Sequence, residues 1–302
     1  MSIHGKILVL TILALMLLSS VPAQAAGPFF YRLPQEPGVD PAAVTVIGQP
    51  QVHHITRYEN LYYIARHYDL GFWELARFHR HLDHFYLPWD TDIDIPTQWV
   101  LPEKPNPPGY LINVAELRGY RFFPEKNEVR TYPIGIGVLD YKTPFGRFRV
   151  QSKSANPGWH IPASLRWKYG MSYMPPGEEN PIGSHWLGLS KYGLHGTHAP
   201  MGVGRLVSHG CIRHYPEDIA ELFQITPVGT SVEIIYEPVK FGFKDGKIFV
   251  EVHEDIYFKV PEMFQYALKK VEAKGLAPKI HWTRFIKAVE EQSGAPVDIS
   301  RD

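Results

Sequence analysis

The sequence predicts a mainly β domain with short helices, preceded by a small α+β module and followed by a helical segment. Three observations predict this arrangement. Apolar and polar residues alternate in several short runs between residues 110 and 237, as in half-buried strands. In residues 51–98, and again after Val252, apolar residues recur at the spacing of amphipathic helices. Four prolines between residues 102 and 108 exclude a helix or a central strand there and separate the first two parts.

The composition is that of a globular protein without excess charge. Hydrophobic residues make up 44% and charged residues 21% of the 302 residues, which suits two domains that each bury a core. The 31 Lys and Arg residues balance the 31 Asp and Glu residues, so the net charge does not attract the phosphates of nucleic acid. We therefore expect no nucleic-acid partner.

The first 25 residues have the pattern of a secretory signal peptide. Lys6 precedes an apolar run at residues 7–18, and the small-residue tripeptide at residues 23–25 follows it. This run is shorter than the roughly 18 to 20 apolar residues that a spanning helix needs, although an uncleaved membrane anchor is the alternative interpretation. Cleavage after Ala25 or Ala26 predicts an exported protein with no membrane span in the mature chain.

Residues 51–98 predict the order strand, helix, helix, strand. The apolar residues at helical spacing are Leu61, Ile64, Ala65, Tyr68, Phe72, Leu75, Ala76 and Phe78. The run ITRYENLYYIARHYDL resembles the opening strand and first helix of LysM, a domain that binds peptidoglycan and chitin. The resemblance implies binding of N-acetylated sugars in a shallow groove, and a helical interaction module without sugar affinity is the alternative. Residues 27–50, with five prolines, predict an extended linker or a strand added to this module.

Three histidines of this module are candidate metal ligands. His79, His81 and His84 lie within six residues of one another. Two histidines at positions i and i+4 of a helix would face the same way, whereas these three spread around a helix. We therefore expect no metal site here and a solvated, slightly basic face instead.

The predicted β domain, residues 110–237, follows a proline-rich connection at residues 99–109. Three strands are predicted before residue 138, with a turn at residues 124–127, and FGRFRVQSK and SVEIIYEPV predict further strands. The main helix is predicted at residues 216–223, because Pro216 suits a first helical position and acidic residues follow it.

The C-terminal extension, residues 238–302, predicts two amphipathic helices. They cover residues 261–274 and 279–292, and Gly275 and Pro278 separate them. We expect this segment to be helical, and the sequence alone assigns it no role.

The densest group of reactive residues is GLHGTHAPMGVGRLVSHGCIRH, residues 193–214. Its cysteine, Cys211, has no partner for an internal disulfide, so it pairs with another chain, lies inert in a core, or acts as a reactive thiol. A nucleophilic cysteine needs thiolate character and donors aimed at an oxyanion. Gly210 lets the backbone turn and present consecutive N–H groups, and His195 reaches the sulfur if residues 202–204 fold the chain back.

This segment resembles the signature of the L,D-transpeptidase catalytic domain, the YkuD family. The signature is a His followed, after a gap, by Ser or Thr, His-Gly-Cys, an apolar residue and Asn or Arg. Here His195 lies sixteen positions before Cys211, within SHGCIR. KTPFGRFRV, NPGWHIP and VGTSVEIIYEPV extend the similarity, which is greatest to the periplasmic ErfK/YbiS group. The resemblance implies a β-sandwich or barrel for residues 110–237 and a periplasmic location.

The resemblance also implies roles for individual residues. Cys211 becomes the nucleophile and His195 the proton donor and acceptor. The resemblance further implies that the Gly196 carbonyl orients the base, that the N–H groups of His209, Gly210 and Cys211 form the oxyanion hole with Ser208 as a supporting residue, and that Arg213 lies near the substrate carboxylate. His198 and His214 are expected to be solvated or hydrogen-bonded. No metal or organic cofactor is implied, because thiol, base and backbone donors supply the whole reaction.

The implied reaction is acyl transfer from the meso-diaminopimelate residue of a peptidoglycan tetrapeptide stem to an amine. An amine on another stem gives a 3-3 cross-link, a lysine of an outer-membrane lipoprotein gives an anchored protein, and water gives hydrolysis. Two alternatives stay open at this point. One is a hydrolase that cleaves the link between peptidoglycan and lipoprotein, and the other is a catalytically inactive peptidoglycan-binding protein.

Overall fold

The computed structural model describes residues 29–32, 44–102 and 109–301. The expected signal peptide, residues 1–25, lies outside the described residues, as do residues 103–108 of the proline-rich connection. Within the described ranges, no helix is both long enough and apolar enough to cross a membrane.

The first strand, β1 (Phe29–Arg32), belongs to the central domain and not to the module that follows it. It pairs antiparallel with residues 128–131. The expectation of a linker or of a strand added to the next module is therefore wrong for these residues.

The N-terminal unit consists of two short antiparallel strand pairs and two helices. Its elements are β2 (Val46–Gly48), β3 (Gln51–His54), α1 (Leu61–His67), α2 (Phe72–Phe78), β4 (Asp92–Ile95) and β5 (Gln98–Val100). β2 pairs with β5 and β3 with β4, so residues 51–98 follow the order strand, helix, helix, strand. Asn60 caps α1, because its side chain accepts a hydrogen bond from the Tyr63 N–H. β5 extends to Val100, so the connection begins after residue 100 and not at residue 99.

The histidine group after α2 differs from expectation. α2 ends at Phe78, so residues 79–84 do not continue a helix and the helical-spacing argument does not apply to them. His79 is buried, its Nε2 lies 2.6 Å from the Asp94 carbonyl oxygen, and burial lowers its pKa. The expectation of a solvated face is therefore wrong for His79, whereas His81 is exposed.

The central domain is a β-sandwich with few helices. Its elements are β6 (Gly109–Asn113), β7 (Arg118–Phe123), β8 (Glu128–Pro133), β9 (Ile136–Gly137), β10 (Gly146–Arg149), β11 (Ser152–Ala155), β12 (Trp159–His160), α3 (Arg166–Tyr169), β13 (Tyr173–Met174), β14 (His185–Leu189), β15 (Tyr192–His195), β16 (Leu206–Ser208), β17 (Ile212–Arg213), α4 (Pro216–Ile225) and β18 (Ser231–Ile235). One sheet has the order β1-β8-β7-β6-β18-β10 and the other β11-β14-β15-β17. Apolar side chains from both sheets and from α4 form one core.

The six-stranded sheet is buried on both faces where β6 runs through it. Ile112 belongs to the core between the two sheets, whereas the next side chain along, Leu111, belongs to the core of the N-terminal unit. Tyr120 and Phe122 of β7 join Leu111 on that outer face. The N-terminal unit thus covers one face of the sheet, and the two parts share a continuous apolar interface.

A buried arginine fixes this interface. Arg118 of β7 forms an ion pair with Glu74 of α2 at 2.7 Å, and it donates a hydrogen bond to the carbonyl of Asp69 at 2.9 Å. Its guanidinium also lies 4.3 Å from the centre of the Trp99 ring. A planar cation with five donors can satisfy these partners together, which a lysine could not do.

The C-terminal extension contains a sheet as well as helices. Its elements are β19 (Val239–Lys244), β20 (Lys247–Val252), α5 (Met263–Ala273), α6 (Trp282–Glu291) and β21 (Val297–Asp298). α5 and α6 lie within the two predicted helical ranges, whereas the strands of this segment were not predicted. Asp245 and Gly246 both have positive φ, 52° and 73°, and Asp-Gly is a typical hairpin turn between alternating strands. FGFKDGKIFV carries that signal, and sequence reasoning missed it.

A buried ionic cluster joins the three parts of the protein. The Nζ of Lys240 lies 2.8 Å from Glu251 and 2.5 Å from Glu116, and it donates a hydrogen bond to the Val100 carbonyl. His253 bonds Glu251 at 2.7 Å. Two carboxylates and an imidazole are metal-ligand types, but here the Lys240 ammonium binds both carboxylates, so the cluster is an ion-pair network. Burial raises the pKa of Glu116 to about 7.

Lys240→Met is expected to lower the free energy of unfolding by about 3–5 kcal/mol, because two buried carboxylates lose their counter-charge. Lys247→Met is the matched control, since Lys247 pairs with Asp298 at an exposed position and its loss should cost at most about 1 kcal/mol. Denaturant unfolding of both variants at pH 7.5 measures the difference. Equal losses would show that the cluster contributes no more than a surface pair.

Candidate active site

The pairing of β15 with β17 brings the segment that begins with Cys211 beside the end of β15, where His195 lies. The strands are parallel neighbours, and His195 lies opposite Arg213. Cys211 immediately precedes β17, two positions before Arg213. The His195 and Cys211 side chains line a cavity of about 490 Å³, together with Arg213, Ser208 and His209.

His195 is held as a neutral base. Its Nδ1 lies 2.6 Å from the Gly196 carbonyl oxygen, an acceptor, so Nδ1 carries the proton and Nε2 is left as the acceptor. Its ring stacks on Trp186 at 5.7 Å and 21°. Burial, reinforced by the Arg213 cation, lowers the pKa of His195 to about 3. The imidazole is therefore uncharged at neutral pH.

The turn before Cys211 depends on a glycine and a serine. Gly210 has φ +101°, and a Cβ there would lie 2.6 Å from the Tyr192 ring, so glycine is required on two counts. The Ser208 hydroxyl donates to the Cys211 carbonyl and accepts from the Gly210 N–H at 3.2 Å. The Gly210 amide is thereby committed to shaping the turn.

The Cys211 thiol is protonated in the free protein. It is only partly exposed, and burial raises its pKa, opposed by a hydrogen bond from the Gly193 backbone and by the Arg213 cation. This direction is opposite to that of an ionised thiol, the form that the sequence favours for a nucleophile. Because His195 is neutral as well, the two groups are a thiol and an imidazole before substrate arrives, and not a thiolate–imidazolium pair.

The other histidines of the segment divide into exposed and buried. The His209 side chain is exposed at the cavity, with its ring 4.5 Å from that of Tyr141. His214 is buried, its Nε2 lies 2.8 Å from the Tyr110 hydroxyl, and burial lowers its pKa to about 3. His198 is exposed. His214 is thus hydrogen-bonded and not solvated.

Part of the cavity wall was missed by sequence reasoning. The missed aromatic and basic residues of the wall are Trp159, His160, Lys168, Tyr169, Trp186 and Lys191. The first four lie in the insert between β11 and β14, in WHIPASLRWKY, whose density of aromatic and basic residues was an available signal. Lys168, Lys191 and Arg213 line the cavity, and none of the described residues in its wall is Asp or Glu. The wall therefore favours an anionic ligand.

A thiol, a neutral imidazole, and a cavity with cationic walls are the groups of a cysteine enzyme that transfers acyl groups. Five of the seven predicted site residues line this one cavity, and Gly196 and Gly210 supply main-chain groups behind it. The fold and the site together define that class.

The chain belongs to the L,D-transpeptidase family. Residues 107–234 match the model of the YkuD L,D-transpeptidase catalytic domain. The chain is 36% identical over 283 residues to the probable L,D-transpeptidase YcfS of Escherichia coli K12, covering 86% of this chain and 87% of that relative. It is 34% identical over 272 residues to YbiS of the same strain, covering 84% and 89%. L,D-transpeptidases are acyltransferases, and this chain is one of them.

Among solved structures, the catalytic domain of the E. faecium L,D-transpeptidase, determined by NMR, is 22% identical. The match covers 42% of this chain and 96% of that domain, with a TM-score of 0.33. Family membership therefore rests on the sequence matches.

Gly210→Ala is expected to slow acylation of Cys211 by a carbapenem about 100-fold, because the new Cβ meets the Tyr192 ring and displaces the turn. Gly229→Ala is the matched control: Gly229 also has positive φ, +90°, but its Cβ would meet no atom within 4 Å. Intact-mass kinetics on both variants measure the rates. A folded Gly210→Ala protein that reacts as fast as Gly229→Ala would contradict this account of the turn.

Proposed function

We propose that Cys211 carries acyl groups from a peptidoglycan stem peptide to an amine, with His195 as the proton carrier. The observation that carries this proposal is that His195 and Cys211 line one cavity with a cationic wall. Tetrapeptide stems are anionic through their free carboxylates, which suits Lys168, Lys191 and Arg213. Arg213 lies beside the pair and is the proposed partner of the carboxylate next to the reacting carbonyl.

The proposed first step transfers the acyl group to sulfur. His195 Nε2 takes the Cys211 proton while Sγ attacks the carbonyl carbon of meso-diaminopimelate. The C–S bond forms, and the carbonyl oxygen becomes an oxyanion. Because the Gly210 N–H is engaged by Ser208, we assign the oxyanion to the N–H groups of His209 and Cys211. The C–N bond then breaks, and His195 returns the proton to the leaving D-amino acid.

The second step resolves the thioester. An acceptor amine attacks the carbonyl, gives its proton to His195, and expels sulfur, which regains that proton. The Gly196 carbonyl holds the imidazole in one tautomer through both steps. The acceptor is an amine of a second stem peptide, giving a 3-3 cross-link, or a lysine of an outer-membrane lipoprotein.

We further propose that residues 51–98 are a LysM module that binds the glycan. Exposed aromatic side chains in two loops support this: Tyr58 follows β3 and is 96% exposed, and Tyr86 and Trp89 precede β4 at 84% and 56%. The two loops lie together, because the Arg57 guanidinium is 4.6 Å from the Trp89 ring centre. Aromatic faces open to solvent are suited to stack on sugar rings.

The proposed site of action is the periplasm. The basic residue, apolar run and small-residue tripeptide of residues 1–25 support export. Peptidoglycan as substrate requires the same location, and a single cysteine suits an exported protein whose thiol is used for chemistry.

Cys211→Ala is expected to abolish acylation by a carbapenem, and His195→Ala to slow it by about 10²–10⁴-fold, because the proton acceptor for the thiol is lost. In turnover of a tetrapeptide stem with an amine acceptor, the double variant should be little worse than either single one. Intact mass follows acylation, and chromatography of muropeptides follows turnover.

His209→Ala is the control for this pair, since the exposed imidazole contributes no proton in the proposed mechanism and only its backbone N–H is used. Circular dichroism confirms that each variant is folded. If folded His195→Ala protein processes the substrate at the wild-type rate between pH 6 and 8, His195 is not the base.

The Tyr58→Ala, Trp89→Ala double variant is expected to bind insoluble sacculi about tenfold more weakly than the wild-type chain, because two exposed aromatic contacts are lost. Phe258→Ala, a comparably exposed aromatic of the C-terminal extension, should leave binding unchanged. Co-sedimentation at low salt measures the affinities. If all three proteins sediment equally, the aromatic loops do not hold the glycan.

A further inference from the structure

A tyrosine of the C-terminal extension reaches into the central domain behind the nucleophile turn. The Tyr257 side chain is 1% exposed. Its hydroxyl donates a hydrogen bond to the Gly137 carbonyl at 2.6 Å and accepts one from the Thr143 N–H at 3.1 Å. One hydroxyl thus closes the turn at residues 137–143 from both ends, across more than a hundred residues of sequence.

That turn is the support on which the Cys211 turn lies. Gly137 pairs with Ser208 between β9 and β16, and the Val138 N–H donates to the Ser208 carbonyl at 3.0 Å. A Cβ on Gly137 would lie 3.0 Å from the Gly210 nitrogen. The two backbones are therefore in direct contact, and a displacement of Gly137 must displace residues 208–211.

Tyr257 is itself held in place by its surroundings. Its N–H donates to the Tyr236 hydroxyl at 3.0 Å, and the two rings are nearly parallel, at 5°. The Tyr236 hydroxyl donates to Asp255, and Lys142 donates to the Tyr257 carbonyl at 3.0 Å. A hydroxyl whose ring and backbone are both fixed can define the position of the groups it bonds.

We propose that Tyr257 is a positioning residue for acyl transfer. Acting through Gly137, it sets the position of the Ser208–Cys211 turn and therefore the direction of the Cys211 sulfur and of the N–H groups that face the oxyanion. It touches no substrate. The C-terminal extension thereby completes the active site from outside the catalytic domain. This inference rests on the proposed role of Cys211 as nucleophile.

The test separates the rate constant of acylation from the affinity of the encounter complex. Tyr257→Phe keeps the ring and removes the hydroxyl. We expect the first-order constant for acylation of Cys211 by a carbapenem to fall about tenfold, because a misplaced nucleophile slows only the chemical step. The inhibition constant of the encounter complex should stay within about twofold, since the cavity wall is unchanged.

Tyr215→Phe is the matched control. The Tyr215 side chain is also 1% exposed, and its hydroxyl also donates to a backbone carbonyl, that of Leu70, at 3.0 Å. Its removal costs a similar hydrogen bond without touching the turn at 137–143, so acylation should proceed at the wild-type rate. Lys142→Met changes an exposed side chain and removes the hydrogen bond from Lys142 to the Tyr257 carbonyl. This variant should therefore also acylate more slowly than the wild type, as Tyr257→Phe does.

The possible outcomes distinguish the two claims. A wild-type protein that gains no adduct on Cys211 overturns the role of the nucleophile. If the wild type is acylated and folded Tyr257→Phe has an unchanged first-order constant, the positioning role is wrong. An equal fall in Tyr257→Phe and Tyr215→Phe also overturns it, because general loosening would then explain both. If Tyr257→Phe fails to fold, an unchanged constant in Lys142→Met overturns the proposal.

Discussion

The chemistry of this protein depends on the register of one strand pair. β15 and β17 run side by side, and their register sets His195 opposite Arg213, two positions after Cys211, so that both reacting residues line one cavity. A slip of one residue would turn the side chains of β17 to the opposite face of the sheet and displace Cys211 from the imidazole. Gly210, Ser208 and the support beneath them serve to hold this register where β17 begins.

The same burial that fixes the geometry keeps both reacting groups neutral. Burial raises the pKa of Cys211 and, together with the neighbouring Arg213 cation, lowers that of His195 to about 3. A neutral imidazole is the form that accepts a proton, and a thiol that ionises only as it attacks is protected from oxidation between turnovers. Because no thiolate neutralises them, the positive charges of the cavity wall can bind the anionic substrate and stabilise the developing oxyanion.

Sequence reasoning identified what is local. The predicted base and nucleophile, His195 and Cys211, lie only sixteen positions apart in the sequence. The helix at residues 216–225 was predicted because Pro216 suits a first helical position. Sequence reasoning missed what long-range contacts create: β6 is buried at every position, including Asn113, because two units cover it, and the Tyr257 hydroxyl bonds the Gly137 carbonyl across 120 positions. Nothing in the residues around His79 indicates that its ring is buried and lies next to the carbonyl oxygen of Asp94 in β4. The hairpin at Asp245 and Gly246 could have been predicted from its Asp-Gly turn sequence, but it was not.

The central claim is that the free enzyme holds a neutral thiol beside a neutral base, and the ionisation of Cys211 tests it most directly. The rate of alkylation by iodoacetamide, measured by intact mass from pH 5 to 10 on the folded protein, reports the thiolate fraction. The account predicts one transition with an apparent pKa above the roughly 8.5 of a free thiol, and no step near pH 6. A transition below about pH 7, lost in His195→Ala, would reveal a resident thiolate–imidazolium pair and contradict the account.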